Sequence, residues 1–212
     1  MPTEPIPTPP PRQPFLHDRV AAVAAPTVVV SGADGDVDSA RHPADGILSS
    51  DVRVVSVARL EIDGRRAEDV SWAADGASRA GFVGILRHVG DPGPDPTVWV
   101  RRTRQARPHG ADEHITIHNA SAGALDLEVV VHLAGDMAAI EAVKGGHRGE
   151  PVAWRVERST LLASNDAMDV RVEAPGASLS VPASQPIAQI AWRVEVASRA
   201  ETTVRWLSLI HI

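Results

Sequence analysis

The sequence contains no cysteine and no tyrosine, and aromatic residues make up only 3% of its 212 residues. Without cysteine, disulfides, thiolate zinc sites and thiol catalysis are excluded, so burial alone must hold the fold together. An excess of positive charge is also missing, because the formal net charge is −6. Since a nucleic-acid-binding surface is normally basic, we expect no nucleic-acid partner.

A long apolar run is missing as well. The stretch from Val20 to Val30 follows Arg19, but Asp18 lies at its head and Pro26 interrupts it. It is far shorter than the roughly 20 apolar residues of a membrane span. We interpret it as a lead-in and a first strand, and we expect a cytoplasmic protein that does not bind membranes.

The two ends of the chain differ in composition from the middle. Residues 1–26 begin with a proline-rich stretch, which predicts a disordered, extended tail and lead-in. We place one folded domain at residues 27–207. Residues 208–212, Ser-Leu-Ile-His-Ile, follow the strand pattern of 203–207 without a turn and resemble translated adaptor sequence. We expect this tail to be artefactual and the gene to be truncated there.

Apolar residues alternate with polar ones along most of the middle of the chain. The 43% hydrophobic content is rich in valine, which favours strands. Between 51 and 63, the pattern places Val54 and Leu60 on one face and Arg53 on the other. Residues 112–133 read as a hairpin. The string Ala-Trp-Arg-Val-Glu occurs at 153–157 and 191–195, and we expect both tryptophans, Trp154 and Trp192, in the core.

Helical patterns are scarce, and the best helix candidate, residues 135–143, is short. Strands separated by turn signals, without helical crossovers, are typical of antiparallel sheets packed face to face. The sequence therefore predicts an all-β fold, an antiparallel β-sandwich of the supersandwich kind with few or no helices.

Three segments in order, at residues 45–56, 113–119 and 135–145, carry a family resemblance. They read Asp-Gly-Ile-Leu-Ser-Ser-Asp-Val-Arg-Val-Val-Ser, Glu-His-Ile-Thr-Ile-His-Asn and Gly-Asp-Met-Ala-Ala-Ile-Glu-Ala-Val-Lys-Gly. The set resembles the N-terminal domain of the bacterial glycogen debranching enzyme (amylo-α-1,6-glucosidase) family. Met137, Ala139 and Lys144 depart from the family pattern, which has Phe, an acidic residue and Arg there.

The resemblance implies a β domain joined to a C-terminal (α/α) barrel that carries the glucosidase carboxylates. This chain is then a non-catalytic accessory domain that shapes the glucan site or packs on the missing barrel, with α-glucan as a further candidate partner. The alternative is a stand-alone carbohydrate-binding or protein-interaction sandwich. Under either interpretation we expect no catalytic residue in the chain itself; under the first, the parent protein would be a glycoside hydrolase.

Six residues of the three segments are assigned a structural role. Asp51 and Arg53, two apart on a strand, are expected to face the same side and to pair, anchoring the sandwich to its partner domain. The acidic residues are more plausible as caps or hydrogen-bonding groups than as catalysts. The complete set is Asp51, Arg53, Glu113, Asn119, Asp136 and Glu141.

Metal sites and cofactors are not expected. The segment Asp34–Asp38 begins like a calcium loop, but Ser39 stands where glycine is needed, so it reads as a surface hairpin. His114 and His118 would lie roughly 13 Å apart on a strand, too far to share zinc. The basic cluster Arg101, Arg102, Arg104 and Arg107 reads as a solvated strand edge, with neighbouring residues on opposite faces.

Two tryptophans are candidates for stacking on sugar rings. Trp72 follows Asp69-Val70-Ser71, and Trp99 is out of phase with Val98 and Val100, so both are candidates for exposure. These are the substrate-binding candidates of the sequence.

Overall fold

The computed structural model describes residues 13–183 and 186–211, which form eighteen strands and one short helix. The all-β prediction is confirmed, because the strands build three antiparallel sheets. In chain order the elements are β1 Val20–Ala24, β2 Thr27–Ser31, β3 Val37–Asp38, β4 Gly46–Ser49, β5 Val52–Val55, β6 Val57–Ile62, β7 Glu68–Ala74, β8 Arg79–Ile85, β9 Val98–Arg107, β10 Gly110–Asn119, β11 Leu125–Ala134, β12 Ala138–Ala139, α1 Ile140–Lys144, β13 Arg155–Glu157, β14 Thr160–Ser164, β15 Asp169–Glu173, β16 Ser178–Ser180, β17 Ala188–Val196 and β18 Ala200–His211.

The largest sheet has eight strands in the order β13-β14-β15-β18-β10-β9-β8-β7. A five-stranded sheet, β16-β17-β11-β6-β3, contributes to the same core, and a second one, β1-β2-β4-β5-β12, completes it. Ile115 and Ile117 of β10, Val129 and Val131 of β11, and Trp206 of β18 all lie in this core. Burying a side chain of this size stabilises a fold by about 1.5–3 kcal/mol.

The two tryptophans predicted for the core are buried, with Trp154 at 5% and Trp192 at 3% exposure. Trp192 lies within β17, where it also donates a hydrogen bond from Nε1 to the carbonyl of Pro175 at 3.0 Å. Trp154 instead lies just before β13, whose three residues are exposed. The repeated five-residue string therefore buries its tryptophan in both places but forms one continuous strand only at the second.

The predicted hairpin at 112–133 is wrong. β10 pairs with β9 and β18 in the large sheet, whereas β11 pairs with β6 and β17 in a five-stranded sheet. Both strands have one apolar face, and the chain between them crosses from one layer to the other so that those faces meet in the core. Alternation shows which face of a strand is buried, but it does not show which strand lies beside it.

The single alternating stretch predicted at 51–63 is two strands in different sheets. β5 ends at Val55 and β6 begins at Val57, and between them Ser56 N donates to the carbonyl of Ala134 at 2.8 Å. Arg53 of β5 is fully buried rather than facing solvent, and it donates hydrogen bonds to Asp136 and to the carbonyl of Pro43. The apolar part of the prediction is confirmed at Val54 and Leu60, both of which are buried.

The helix candidate at 135–143 is largely extended. Ala138–Ala139 form β12 against β5, and α1 covers only Ile140–Lys144 before it ends at Gly145. Of α1, only Val143 is buried. Within residues 13–183 and 186–211, no helix has both the length and the apolar character needed to cross a membrane.

The ends of the folded part lie outside the expected domain limits. β1 precedes residue 27 and pairs with β2, and β18 continues to His211. Ser208 accepts a hydrogen bond at Oγ from Ala111 N at 3.1 Å, and Ile210 is buried. The domain limits and the artefactual origin of 208–212 stay predictions, and residues 1–12 and 212 lie outside the described part of the chain.

One edge of the large sheet is irregular. All seven residues of β7 are exposed, including Val70 at 59% and Trp72 at 49%. The pairing of β7 with β8 shifts register between Asp69 and Ser71, which marks a β-bulge at this edge.

Candidate functional site

We call the three family segments, residues 45–56, 113–119 and 135–145, the first, second and third motifs. The second motif contains a carboxylate that lies between two arginines. Glu113 projects from β10 into the interior, where its Oε1 accepts from Arg102 Nε at 2.6 Å and its Oε2 accepts from Arg104 Nε at 2.9 Å and from Arg104 Nη2 at 2.5 Å. Arg102 Nη1 also donates to Asp36 Oδ1 at 2.6 Å, and Arg104 Nη2 donates to the carbonyl of Gly35 at 2.6 Å. We call these four side chains, Asp36, Arg102, Arg104 and Glu113, the buried ion cluster.

Charge within the buried ion cluster is fixed by its geometry. Burial raises the pKa of Glu113, but the adjacent Arg102 and Arg104 lower it further, so its pKa lies below the ordinary value. Burial also disfavours the charged form of Arg102, yet Glu113 and Asp36 outweigh that effect and raise its pKa. Glu113 therefore stays ionised and acts as a hydrogen-bond acceptor for both guanidinium groups.

Two predictions about this region are wrong. The arginine cluster is not a solvated edge, because β9 lies between β8 and β10, and Arg102 and Arg104 are buried. The prediction that Arg101 and Arg102 face opposite sides is confirmed by the alternating burial of β9. Nor are Asp36 and Asp38 on a surface hairpin, because both are buried: Asp36 contacts Arg102 of the large sheet, and Asp38 lies 3.7 Å from Arg59 of β6.

The first and third motifs meet through a second buried pair. Arg53 donates from Nε to Asp136 Oδ1 at 3.0 Å and from Nη2 to Asp136 Oδ2, which makes the pair bidentate. Asp136 Oδ2 also accepts from Gly149 N at 3.1 Å. Arg53 Nη1 donates to the carbonyl of Pro43 at 2.6 Å. The pair joins segments that are 83 residues apart in the chain.

The predicted pair between Asp51 and Arg53 is wrong. Ser50 and Asp51 form the turn between β4 and β5 with positive φ angles of 47° and 66°, so Asp51 is not part of the strand. Asp51 is exposed and its carbonyl accepts from Ile140 N at 2.8 Å. Aspartate tolerates the left-handed conformation that this turn requires. Arg53 points inward, to Asp136.

The other two motif residues lie in different environments. Asn119 is buried at the end of β10, where its Nδ2 donates to the carbonyls of Gly123 at 2.8 Å and Val196 at 3.0 Å. Its Oδ1 accepts from Ser121 N at 2.9 Å, so one side chain ties together two loops. Glu141 lies in the first turn of α1 and is exposed.

The two candidate tryptophans lie on different parts of the large sheet. Trp72 is on the edge strand β7 and is 49% exposed. Trp99 is half-buried on β9, and its ring stacks on His118 with 5.1 Å between centroids and 8° between planes. His118 Nδ1 contacts Glu201 Oε2 at 2.9 Å. Nothing in the sequence indicated that His118 and Glu201 lie beside Trp99, because only strand pairing brings the three together.

An apolar groove of about 280 Å³ lies on the outer side of the sheet that contains β2 and β4. Leu48 of the first motif and Ile140 and Val143 of the third motif line it, together with Leu16 from the segment before β1. Periodicity gave no signal for this groove, because it forms where the first and third motifs meet.

Metal ligation has no support in the part of the chain that the structure describes. Within residues 13–183 and 186–211, no group of three or more His, Asp or Glu side chains is placed to hold an ion. His114 is exposed on β10, four residues before His118 on the same face of the strand, and its Nε2 lies 3.7 Å from Asp112 Oδ2.

The fold and these contacts define an all-β sandwich domain in which buried ion pairs join distant segments. A family model for the N-terminal domain of (some) glycogen debranching enzymes matches residues 23–207. The chain belongs to this family, as its three motifs indicated. No curated protein matches the chain.

Solved structures share the fold at low sequence identity. A putative aldose 1-epimerase from Escherichia coli K12 matches with a TM-score of 0.59 at 8% identity, over 91% of this chain and 98% of that one. A Synechocystis sp. PCC 6803 protein matches with a TM-score of 0.56 at 10% identity, over 98% and 99%. A putative kojibiose phosphorylase from the human microbiome matches with a TM-score of 0.50 at 9% identity, over 76% of this chain but only 22% of that chain.

Proposed function

We propose that this chain is a non-catalytic N-terminal accessory domain of a glycogen-debranching-type glycoside hydrolase. It shapes the glucan site or packs on a C-terminal (α/α) barrel that carries the catalytic carboxylates. The observation that carries this proposal is the environment of the two motif carboxylates: Glu113 and Asp136 are both buried, and both are paired with arginine.

Glycoside hydrolysis requires properties that these two carboxylates lack. It needs two carboxyl groups about 5–10 Å apart, one of them a proton donor with a raised pKa. Glu113 has a lowered pKa and both of its oxygens accept from arginines. Asp136 accepts from Arg53 at both oxygens. Carboxylates held in this way stabilise a fold, and we assign Glu113 and Asp136 this structural role.

The other motif residues fit the same proposal. Asp51 makes the β4–β5 turn, and Asn119 holds the loops at the end of β10. Glu141 is exposed beside the apolar groove, on a helix whose Ile140 and Val143 line it. An exposed apolar groove between two family motifs is suited to packing against a further domain. We propose it as the surface that meets the barrel.

The size relation to a larger enzyme adds support. The kojibiose phosphorylase match covers only 22% of that chain, so a domain of this fold accounts for a minor part of a larger protein there. We extend the same arrangement to this family member and place it in the cytoplasm, where a domain held together without disulfides suits the reducing conditions. Amylo-α-1,6-glucosidase activity is proposed for the parent protein.

The alternative is a stand-alone carbohydrate-binding sandwich, which the stacked Trp99 and His118 favour. Two measurements separate the proposals. We expect the chain alone to release no glucose from a limit dextrin, and the reading frame at its locus to continue into an (α/α) barrel. Glucose release by the purified chain would refute the accessory role. Clean genomic sequence without a downstream barrel, together with saturable malto-oligosaccharide binding, would establish the stand-alone alternative.

A further inference from the structure

A pocket of about 420 Å³ lies at the end of the large sheet where β9 begins and β10 ends. Strand register builds it: His118 of β10 lies opposite Trp99 of β9 on one side and Glu201 of β18 on the other. The three side chains therefore project from the same face of the sheet. We call this site the Trp99 pocket; Trp99, His118, Ala120, Arg199, Ala200 and Glu201 line it.

Contacts within the Trp99 pocket hold its aromatic wall in place. The rings of Trp99 and His118 stack nearly parallel, and His118 Nδ1 contacts Glu201 Oε2 at 2.9 Å. His118 is 16% exposed whereas Glu201 is 61% exposed. The histidine thus serves as a support between the two strands, and the glutamate keeps accepting capacity toward solvent. A rigid wall lowers the entropy cost of binding.

The remaining lining completes a mixed surface. Arg199 is exposed in the turn before β18 with a φ of 55°, and it adds guanidinium donors to the carboxylate acceptor. Ala120 and Ala200 are small, so they leave space between the charged groups and the indole. The pocket therefore offers an apolar wall, a donor and an acceptor within one site.

This combination selects a class of ligand. A sugar ring presents apolar C–H groups next to hydroxyls that both donate and accept, which matches an aromatic wall flanked by a carboxylate and a guanidinium. A phosphorylated or nucleic-acid ligand would meet the negative charge of Glu201, and a purely apolar ligand would bury the charge of Arg199 without a partner. The other candidate, Trp72, does not have a histidine and a glutamate beside it in this way. Its cross-strand partner is Phe82, whose side chain is buried.

We propose that the Trp99 pocket binds glucose units of an α-glucan chain. The choice of α-glucan rests on the proposed function, whereas a carbohydrate ligand follows from the lining of the pocket. Trp99 and His118 form the wall, Glu201 accepts hydroxyl hydrogen bonds and Arg199 donates them.

Calorimetric titration of the purified chain with maltoheptaose tests this proposal, with cellohexaose as the β-linked comparison. We expect saturable millimolar or tighter binding of maltoheptaose and weaker binding of cellohexaose. Glu201→Ala and Trp99→Ala should each weaken binding by about tenfold or more, since each removes a direct contact. Glu195→Ala, which replaces an exposed glutamate of β17 in another sheet, is the matched control and should leave binding unchanged.

Each other outcome counts against the proposal. No binding by the natural chain, or equal binding by the Glu201→Ala variant and the Glu195→Ala variant, overturns the pocket. Equal affinity for both oligosaccharides overturns the α-glucan class. Because Glu201 is exposed, its variant keeps the test valid even if the Trp99 variant does not fold. The accessory role fails by a different result, glucose release by the chain alone, so the two failures are distinguishable.

Discussion

Replacing Glu113 with glutamine removes the carboxylate that faces both Arg102 and Arg104 in the buried ion cluster. The substitution keeps size and shape but leaves buried positive charge without its main partner. Removing one member of a buried ion pair costs about 3–5 kcal/mol of unfolding free energy. Arg102 retains Asp36, so we expect a loss near the lower end, about 3 kcal/mol.

Urea unfolding at neutral pH measures this loss, with Glu141→Gln as the control. Glu141 belongs to the motif set but is exposed, so its substitution should change stability by less than about 0.5 kcal/mol. The reasoning would be refuted if Glu113→Gln cost less than about 1 kcal/mol, or no more than the control. Such a result would mean that the arginines find other partners or are hydrated.

The same substitution has a defined effect on pH dependence. The pKa of Glu113 is lowered in the folded state, so its contribution to stability is present above its ordinary value of 4.5 and is lost as pH falls through the folded pKa. The unfolding free energy of the Glu113→Gln variant should therefore fall less steeply than that of the natural chain as the solution is acidified below pH 4.5.

Three further predictions concern other parts of the fold. Burial, partly offset by Arg19, raises the pKa of Asp45 from 3.8 to about 6, so the folded state loses stability as pH rises between these two values. Asp45→Asn should therefore raise the unfolding free energy above pH 6 by about 2–3 kcal/mol. A series of melts at different pH values that shows no gain for this variant would contradict the prediction. Gly110→Ala should destabilise the fold by more than about 3 kcal/mol, because the added Cβ would lie 1.9 Å from the carbonyl oxygen of Ser208. Gly76→Ala, at a position with open space around it, should cost far less. Similar melting temperatures for the two variants would refute this prediction. Trp154→Ala should cost about 3–5 kcal/mol in urea, and a loss below about 1 kcal/mol would contradict its place in the core.

Sequence patterns predicted the layers better than the pairings. Alternation identified the apolar faces of β10 and β11, because each face must enter a core whatever its partner strand. It failed to show that β10 and β11 belong to different sheets. The residues that connect the two strands favour a turn both in a hairpin within one sheet and in a crossing between two sheets. The change of sheet at Ser56 was hidden for the same reason.

The sequence identified several residues of the candidate site but did not show which of them contact one another. The motifs identified Arg53, Glu113 and Asp136, yet the partners of Arg53 and Glu113 were assigned incorrectly or not at all. Arg53 meets Asp136 from 83 residues away, and no local spacing encodes that distance. Charged residues in a strand are normally assigned to solvent, so the buried positions of Arg102 and Arg104 contradict the usual rule.

The irregular edge of the large sheet has a consequence for how the protein behaves at high concentration. β7 offers unpaired backbone groups beside the exposed Val70 and Trp72, a combination that invites another chain to add a strand. The bulge between Asp69 and Ser71 breaks the regular hydrogen-bonding repeat there, and the exposed charge of Asp69 disfavours pairing with a second copy of the same edge. The bulge and Asp69 therefore oppose the addition of strands from other copies that would lead to fibre-like stacking.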